Sequence, residues 1–89
     1  MKVLIDKTFE RDIRKITDKK VLHSIALSIL EIQKLNTLLE IEDCKKLKGS
    51  KNAYRIRIGD YRLGFIFEKQ SIEFIRCLHR SKNYENFPG

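Results

Sequence analysis

The chain has no tryptophan, a single proline at position 88, four glycines and two cysteines in 89 residues. One proline at the far end and no Gly/Ser-rich seam exclude an internal linker, so residues 1–89 are expected to form one domain. Cys44 and Cys77 fit no metal or redox spacing and no CxxC occurs, which predicts reduced thiols and a cytoplasmic protein. No group of Asp, Glu, His or Cys has metal-ligand spacing, so neither a metal nor any other cofactor is expected. Long apolar runs are missing too. MKVLIDKTFE carries only three apolar residues in a row before charge resumes, which excludes a secretory signal, and no segment approaches the ~20 residues needed to span a membrane. Acidic residues are in short supply: twelve Asp and Glu face nineteen Lys and Arg, a formal net charge of +7. That imbalance predicts a polyanionic or acidic partner.

What remains is ordinary for a folded domain, with 42% hydrophobic and 35% charged residues. A domain of this length buries only about 60–65% of its unfolded surface. A deep enclosed pocket is therefore not expected, and an active site should lie on a shallow face. Val3-Leu4-Ile5 reads as a short opening strand. Thr8 can cap a first helix with Phe9, Ile13 and Ile16 on one stripe. Thr17-Asp18 can cap a second helix over about 19–38, in which Leu22, Ile25, Ile29 and Ile32 repeat at helical spacing. EIEDCKKLKGSKNA is polar and reads as the main loop.

The period then changes to two. In YRIRIGDYRLGFIF, residues 54 to 67, Tyr54, Ile56 and Ile58 alternate with Arg55 and Arg57. Gly59-Asp60 is a two-residue hairpin signal with glycine first. That turn predicts the pairs Ile58–Tyr61, Arg57–Arg62, Ile56–Leu63 and Arg55–Gly64. A third strand over about 72–78 follows a turn at Lys69-Gln70-Ser71. The predicted fold is α+β: two N-terminal helices on one face of a small, mainly antiparallel four-stranded sheet. Tyr54, Ile56, Ile58, Leu63, Phe65 and Phe67 supply the covered face, and the arginines occupy the open one.

Two arginines directly opposite on one sheet face are destabilising, by about 0.2–1 kcal/mol. An anion lying across them reverses the sign, and guanidinium matches phosphate, so the expected ligand is a nucleic-acid backbone. A connecting turn of two or four residues would place Glu73, Ile75, Cys77 and His79 on the open face. The four-residue turn would align Arg57, Arg62 and His79 in one row; an odd-length turn would send His79 to the core. A histidine among arginines tends to be neutral at pH 7 and can move a proton. In a regular strand Arg80 points away from His79, and it joins the cationic face only where the strand ends or bulges. Tyr84 could stack on a base or pack the tail onto the sheet. Lys45, Lys46, Lys48 and Lys51 could extend the basic surface or simply be solvated.

LKG, then YRIRIGDYRLGF, then a strand ending in HR with a tyrosine four residues later, resembles the RelE/ParE toxin superfamily, in its RelE-like branch. The resemblance implies the toxin of a type II toxin–antitoxin module that enters the ribosomal A site. There it would cleave mRNA without a metal, through the RNA 2′-hydroxyl, and a cognate antitoxin would silence it. It also implies RNA-binding roles for Arg55, Lys48 and Lys51, and catalytic roles for Arg57, Arg62, Arg80 and Tyr84. Several relatives carry, at the position of Arg57, a lysine assigned general-base work. Arginine holds its proton with a pKa above ~12, so that role passes to His79 or catalysis rests on phosphate positioning. Glu40 and Glu42 match no family position. Two alternatives share these features: a ParE-like inhibitor of DNA gyrase, and a non-catalytic nucleic-acid-binding module.

Overall fold

The computed structural model describes residues 1–82. Its elements are β1 (Lys2–Ile5), α1 (Lys7–Arg14), α2 (Lys19–Lys34), a 3₁₀ turn (Leu38–Glu40), β2 (Cys44–Lys46), β3 (Ala53–Ile58), β4 (Tyr61–Glu68) and β5 (Ser71–His79). The sheet has five strands in the order β1-β5-β4-β3-β2. All neighbours are antiparallel except β1, which runs parallel to β5. Two expectations are corrected here. The sheet has five strands rather than four, because Cys44–Lys46, read as loop, pairs with Tyr54–Ile56. Helix α2 ends at Lys34, and the chain beyond it forms the short 3₁₀ turn.

Both helices start on aspartate. Asp6 caps α1 by accepting the Thr8 N–H at 2.9 Å, a bond that lowers its carboxyl below the ordinary aspartate range. Asp18 caps α2 through the Lys20 and Val21 N–H groups. The apolar stripes pack Phe9, Ile16, Ile25 and Ile32 against Ile56, Leu63, Phe65, Ile72, Phe74 and Cys77 of the sheet. Phe65, Phe74, Leu63 and Ile72 are fully buried, with Phe74 touching both Phe9 and Phe65. Tyr54 stacks on Phe65 from the neighbouring strand.

The β3–β4 hairpin has the expected register, with Arg57 opposite Arg62 and Arg55 opposite Gly64. Gly59 carries a φ of +57°, the left-handed geometry that a glycine-first turn requires. Lys69 and Gln70 form the β4–β5 turn, both at positive φ. Among the described residues no helix is long and apolar enough to cross a membrane.

Candidate nucleic-acid interface

One face of the sheet is covered by the helices. The other carries Lys45 on β2, Arg55 and Arg57 on β3, and Arg62 on β4, with Lys45 opposite Arg55 and Arg57 opposite Arg62. Directly opposed residues stand about 4.5–5.5 Å apart at Cβ. Arg57 is exposed, whereas Arg55 and Arg62 are half-buried. Among the described residues the Nη1 of Arg62 is buried with no hydrogen-bond partner. A buried guanidinium nitrogen without an acceptor costs free energy. Gly64, buried between Arg55 and Arg76 in the register, keeps the centre of the face free of a side chain.

The third strand departs from the expected parity. The turn after Glu68 has two residues, but the register shifts between Gly64 and Phe65: Phe65 faces Phe74 while Gly64 faces Arg76. Ile75 is therefore an extra residue, a β-bulge that moves everything after it by one. Arg62 is opposite Leu78, and Tyr61 is opposite His79. His79 lies on the helix-side face, not in a row with Arg57 and Arg62. Its ring meets the Tyr61 ring edge-on at 5.3 Å between centroids. Ser81 N–H donates to His79 Nδ1 at 3.2 Å and the Ser81 hydroxyl lies 3.0 Å away, so the neutral ring carries its proton on Nε2.

The same bulge brings Arg80 to the cationic side. Arg80 N–H donates to the Asp60 carbonyl at 2.7 Å, extending the pairing by one rung past His79. Its guanidinium lies 3.7 Å from the Asp60 carboxylate, and both side chains are largely exposed. By alternation Arg80 shares the face of Leu78 and Arg62, a diagonal neighbour of Arg62 at about 7–8 Å. Arg57, Arg62 and Arg80 thus converge at one end of the open face. Lys48 and Lys51 are exposed on the β2–β3 connection, beyond Lys45. Tyr84 lies outside the described residues.

Two features escaped the sequence reading. Asp12 of α1 is buried and binds Arg76 Nε at 2.8 Å and Nη2 at 3.3 Å, and it also accepts the Cys77 N–H at 2.9 Å. A signal was present: Asp12 falls three residues after Phe9, on the apolar stripe of α1, where a carboxylate needs a partner. The second feature is Cys77, whose thiol is pushed up to about 12 by burial and by the Asp12 charge. It stays protonated at neutral pH and is not a nucleophile. Burial also pushes the Cys44 thiol up.

The helix pair on one side of a five-stranded sheet is a fold shared with known toxins. Residues 3–84 match the family described as ParE toxin of type II toxin–antitoxin system, parDE. The chain belongs to the RelE/ParE superfamily of type II toxins. It is 43% identical over 89 residues to Toxin RelE3 of Methanocaldococcus jannaschii, covering 99% of this chain and 100% of that one. It superposes on the toxin of the RelB-RelE antitoxin–toxin complex from Methanococcus jannaschii with a TM-score of 0.81 at 40% identity, covering 96% of this chain and 99% of that one. The YoeB dimer from Staphylococcus aureus shares the fold at a TM-score of 0.71 and 20% identity, over 89% of this chain and 95% of that one.

Proposed function

We propose that this toxin is a ribosome-dependent endoribonuclease that cleaves mRNA in the A site, with the open sheet face as its RNA-binding surface. The observation that carries the reading is the convergence of Arg57, Arg62 and Arg80, with the Arg62 Nη1 buried and unpartnered among the described residues. In the reaction the RNA 2′-oxygen attacks the adjacent phosphorus in line and the bond to the 5′-oxygen breaks. A 2′,3′-cyclic phosphate and a 5′-hydroxyl result. Two protons move: one passes from the 2′-hydroxyl to solvent water, and one reaches the departing 5′-oxygen. Arg57 and Arg62 grip the non-bridging oxygens, and Arg80 closes on them as it exchanges Asp60 for phosphate. Charge building on those oxygens is offset by three cations, the largest kind of contribution a protein makes to such a step.

His79, at the end of β5 on the helix-side face, serves as the proton carrier by reaching around the strand end. With Nδ1 engaged by Ser81, its Nε2–H is set to donate to the 5′-oxygen rather than to accept from the 2′-hydroxyl. Tyr84 stacks on a neighbouring base, and Arg55, Lys48 and Lys51 follow the backbone of the message. The partner that silences the face is a cognate antitoxin; the similar structure from Methanococcus jannaschii is a RelB-RelE antitoxin–toxin complex.

The test uses ribosomes stalled on a defined message, with primer extension to map new 5′ ends and a DNA gyrase supercoiling assay on the same preparation. The proposal predicts a cut in the A-site codon, lost in Arg80→Ala, and unchanged supercoiling. Because the matching family is described by ParE, gyrase inhibition is the second reading. Intact message with blocked supercoiling would establish it. Ribosome binding without either effect would make the chain a non-catalytic binding module.

A further inference from the structure

Beyond Phe74, strand β5 loses its neighbour. The β1 pairing ends at Ile5–Phe74, and the Asp6 N–H closes it on the Phe74 carbonyl at 2.9 Å. From Ile75 onward that edge of β5 faces α1, and the Cys77 N–H points into a buried region where no strand can accept it. Asp12, only 7% exposed, takes the place of the missing strand. One carboxylate oxygen accepts both Cys77 N–H and Arg76 Nε, and the other accepts Arg76 Nη2. Both contacts fall one and two residues after Ile75, the extra residue of the bulge.

The bulge decides what the open face contains. Without it, pairing would continue from Phe65–Phe74 to Leu63–Arg76, Arg62–Cys77 and Asp60–His79. Arg76 would then face Leu63 and the fully buried core, and Arg80 would leave the cationic face. With the bulge, Leu63 meets Cys77 and Arg80 meets Asp60. A one-residue slip exchanges the two faces for every later residue.

We propose that Asp12 is a positioning residue: by binding Arg76 and the Cys77 N–H it locks the bulge at Ile75 and so sets Arg80 on the face of Arg57 and Arg62. Its consequence for RNA rests on the function proposed above, whereas the register itself does not.

Two readouts separate these. The Cys77 N–H points away from β4, so Leu63 and Cys77 form a non-hydrogen-bonded pair whose Hα atoms are close enough for a strong nuclear Overhauser contact. In Asp12→Ala that contact is expected to vanish and a Leu63–Arg76 contact to appear. Asp12→Asn, which keeps an acceptor but loses the charge, covers the case in which the alanine variant does not fold. It is expected to populate both registers, with doubled amide peaks for Cys77, Leu78 and Arg80. A single wild-type register in either variant overturns the proposal.

The second readout is affinity for a short single-stranded RNA. Arg80→Ala should weaken binding roughly tenfold in the wild-type background, the loss of one charged contact. In the Asp12→Ala background it should cost nothing further. An undiminished Arg80 effect there would again overturn the role of Asp12. Failure of the wild-type protein to bind RNA would instead remove the functional reading, and the register would still decide the role of Asp12.

Discussion

Arg62 shows at the residue scale why the open face reads as a binding site. It is half-buried, opposed by Arg57, and holds a buried nitrogen without a partner among the described residues. Each of these costs stability in the unbound protein. Arg62→Met keeps the aliphatic stem and removes all three, so urea unfolding should show the variant unchanged or more stable by up to about 1 kcal/mol. RNA cleavage should fall at the same time by roughly tenfold or more. A variant both less stable and fully active would remove Arg62 from the site. Cys77 yields a second prediction. Its thiol is raised to about 12, above any working pH, and its side chain is buried. At pH 8 a disulfide reagent should modify Cys44 slowly, and Cys77 only after denaturation. Rapid native labelling of both would contradict the packing of Cys77 against the helices.

At the element scale, the β3–β4 hairpin was legible and the β4–β5 pairing was not. Gly59-Asp60 names its own turn type, and strict alternation of apolar residues with Arg55 and Arg57 fixes which face each side chain takes. No comparable mark announces the bulge: Ile75 and Arg76 include neither glycine nor proline, and strand parity counted through them puts His79 where Arg80 stands. The hints are Gly64, which stands at the register shift, and, sixty-odd residues away, the placement of Asp12 on an apolar stripe. β2 was missed for a different reason, since three residues, Cys44–Lys46, carry no period and lie in a polar segment. The turn after β4 also resists sequence reading. Lys69 and Gln70 both adopt positive φ at 49° and 61°, with no glycine or asparagine to mark it. Such backbone costs about 1 kcal/mol or more per residue outside glycine. Replacing Lys69-Gln70 by Asn-Gly should therefore stabilise the protein by about 1 kcal/mol in urea unfolding without altering cleavage. A loss of stability would mean the turn holds these residues through side-chain contacts instead.

Taken whole, the molecule separates its work between two faces of one sheet. Helices α1 and α2 cover one side, and Lys45, Arg55, Arg57 and Arg62 gather on the other. With Arg80, whose N–H pairs with the Asp60 carbonyl, these make five cations on that face. Binding to single-stranded RNA loses about 0.7 in log affinity per log salt for each phosphate neutralised, so with one phosphate for each of the five cations a slope of roughly −3.5 is expected here. A slope near zero would point to a binding mode in which these cations take no part. The fold class, the paired arginines and the family were readable from the chain because the period-two pattern and the motif order are local. Strand alternation left the membership of Arg80 in the face open and the resemblance alone implied it, because it depends on a bulge in contact with α1.

The most direct measurement concerns the nucleophile. A stalled ribosome is programmed with a message carrying a single 2′-deoxy nucleotide on the 5′ side of the scissile bond in the A-site codon. If the arginine face stabilises attack by the RNA's own 2′-oxygen, cleavage should stop at that bond, while the all-ribose message is cut to a 2′,3′-cyclic phosphate. Undiminished cleavage of the deoxy-substituted message would contradict the account, because the attacking oxygen would then come from water.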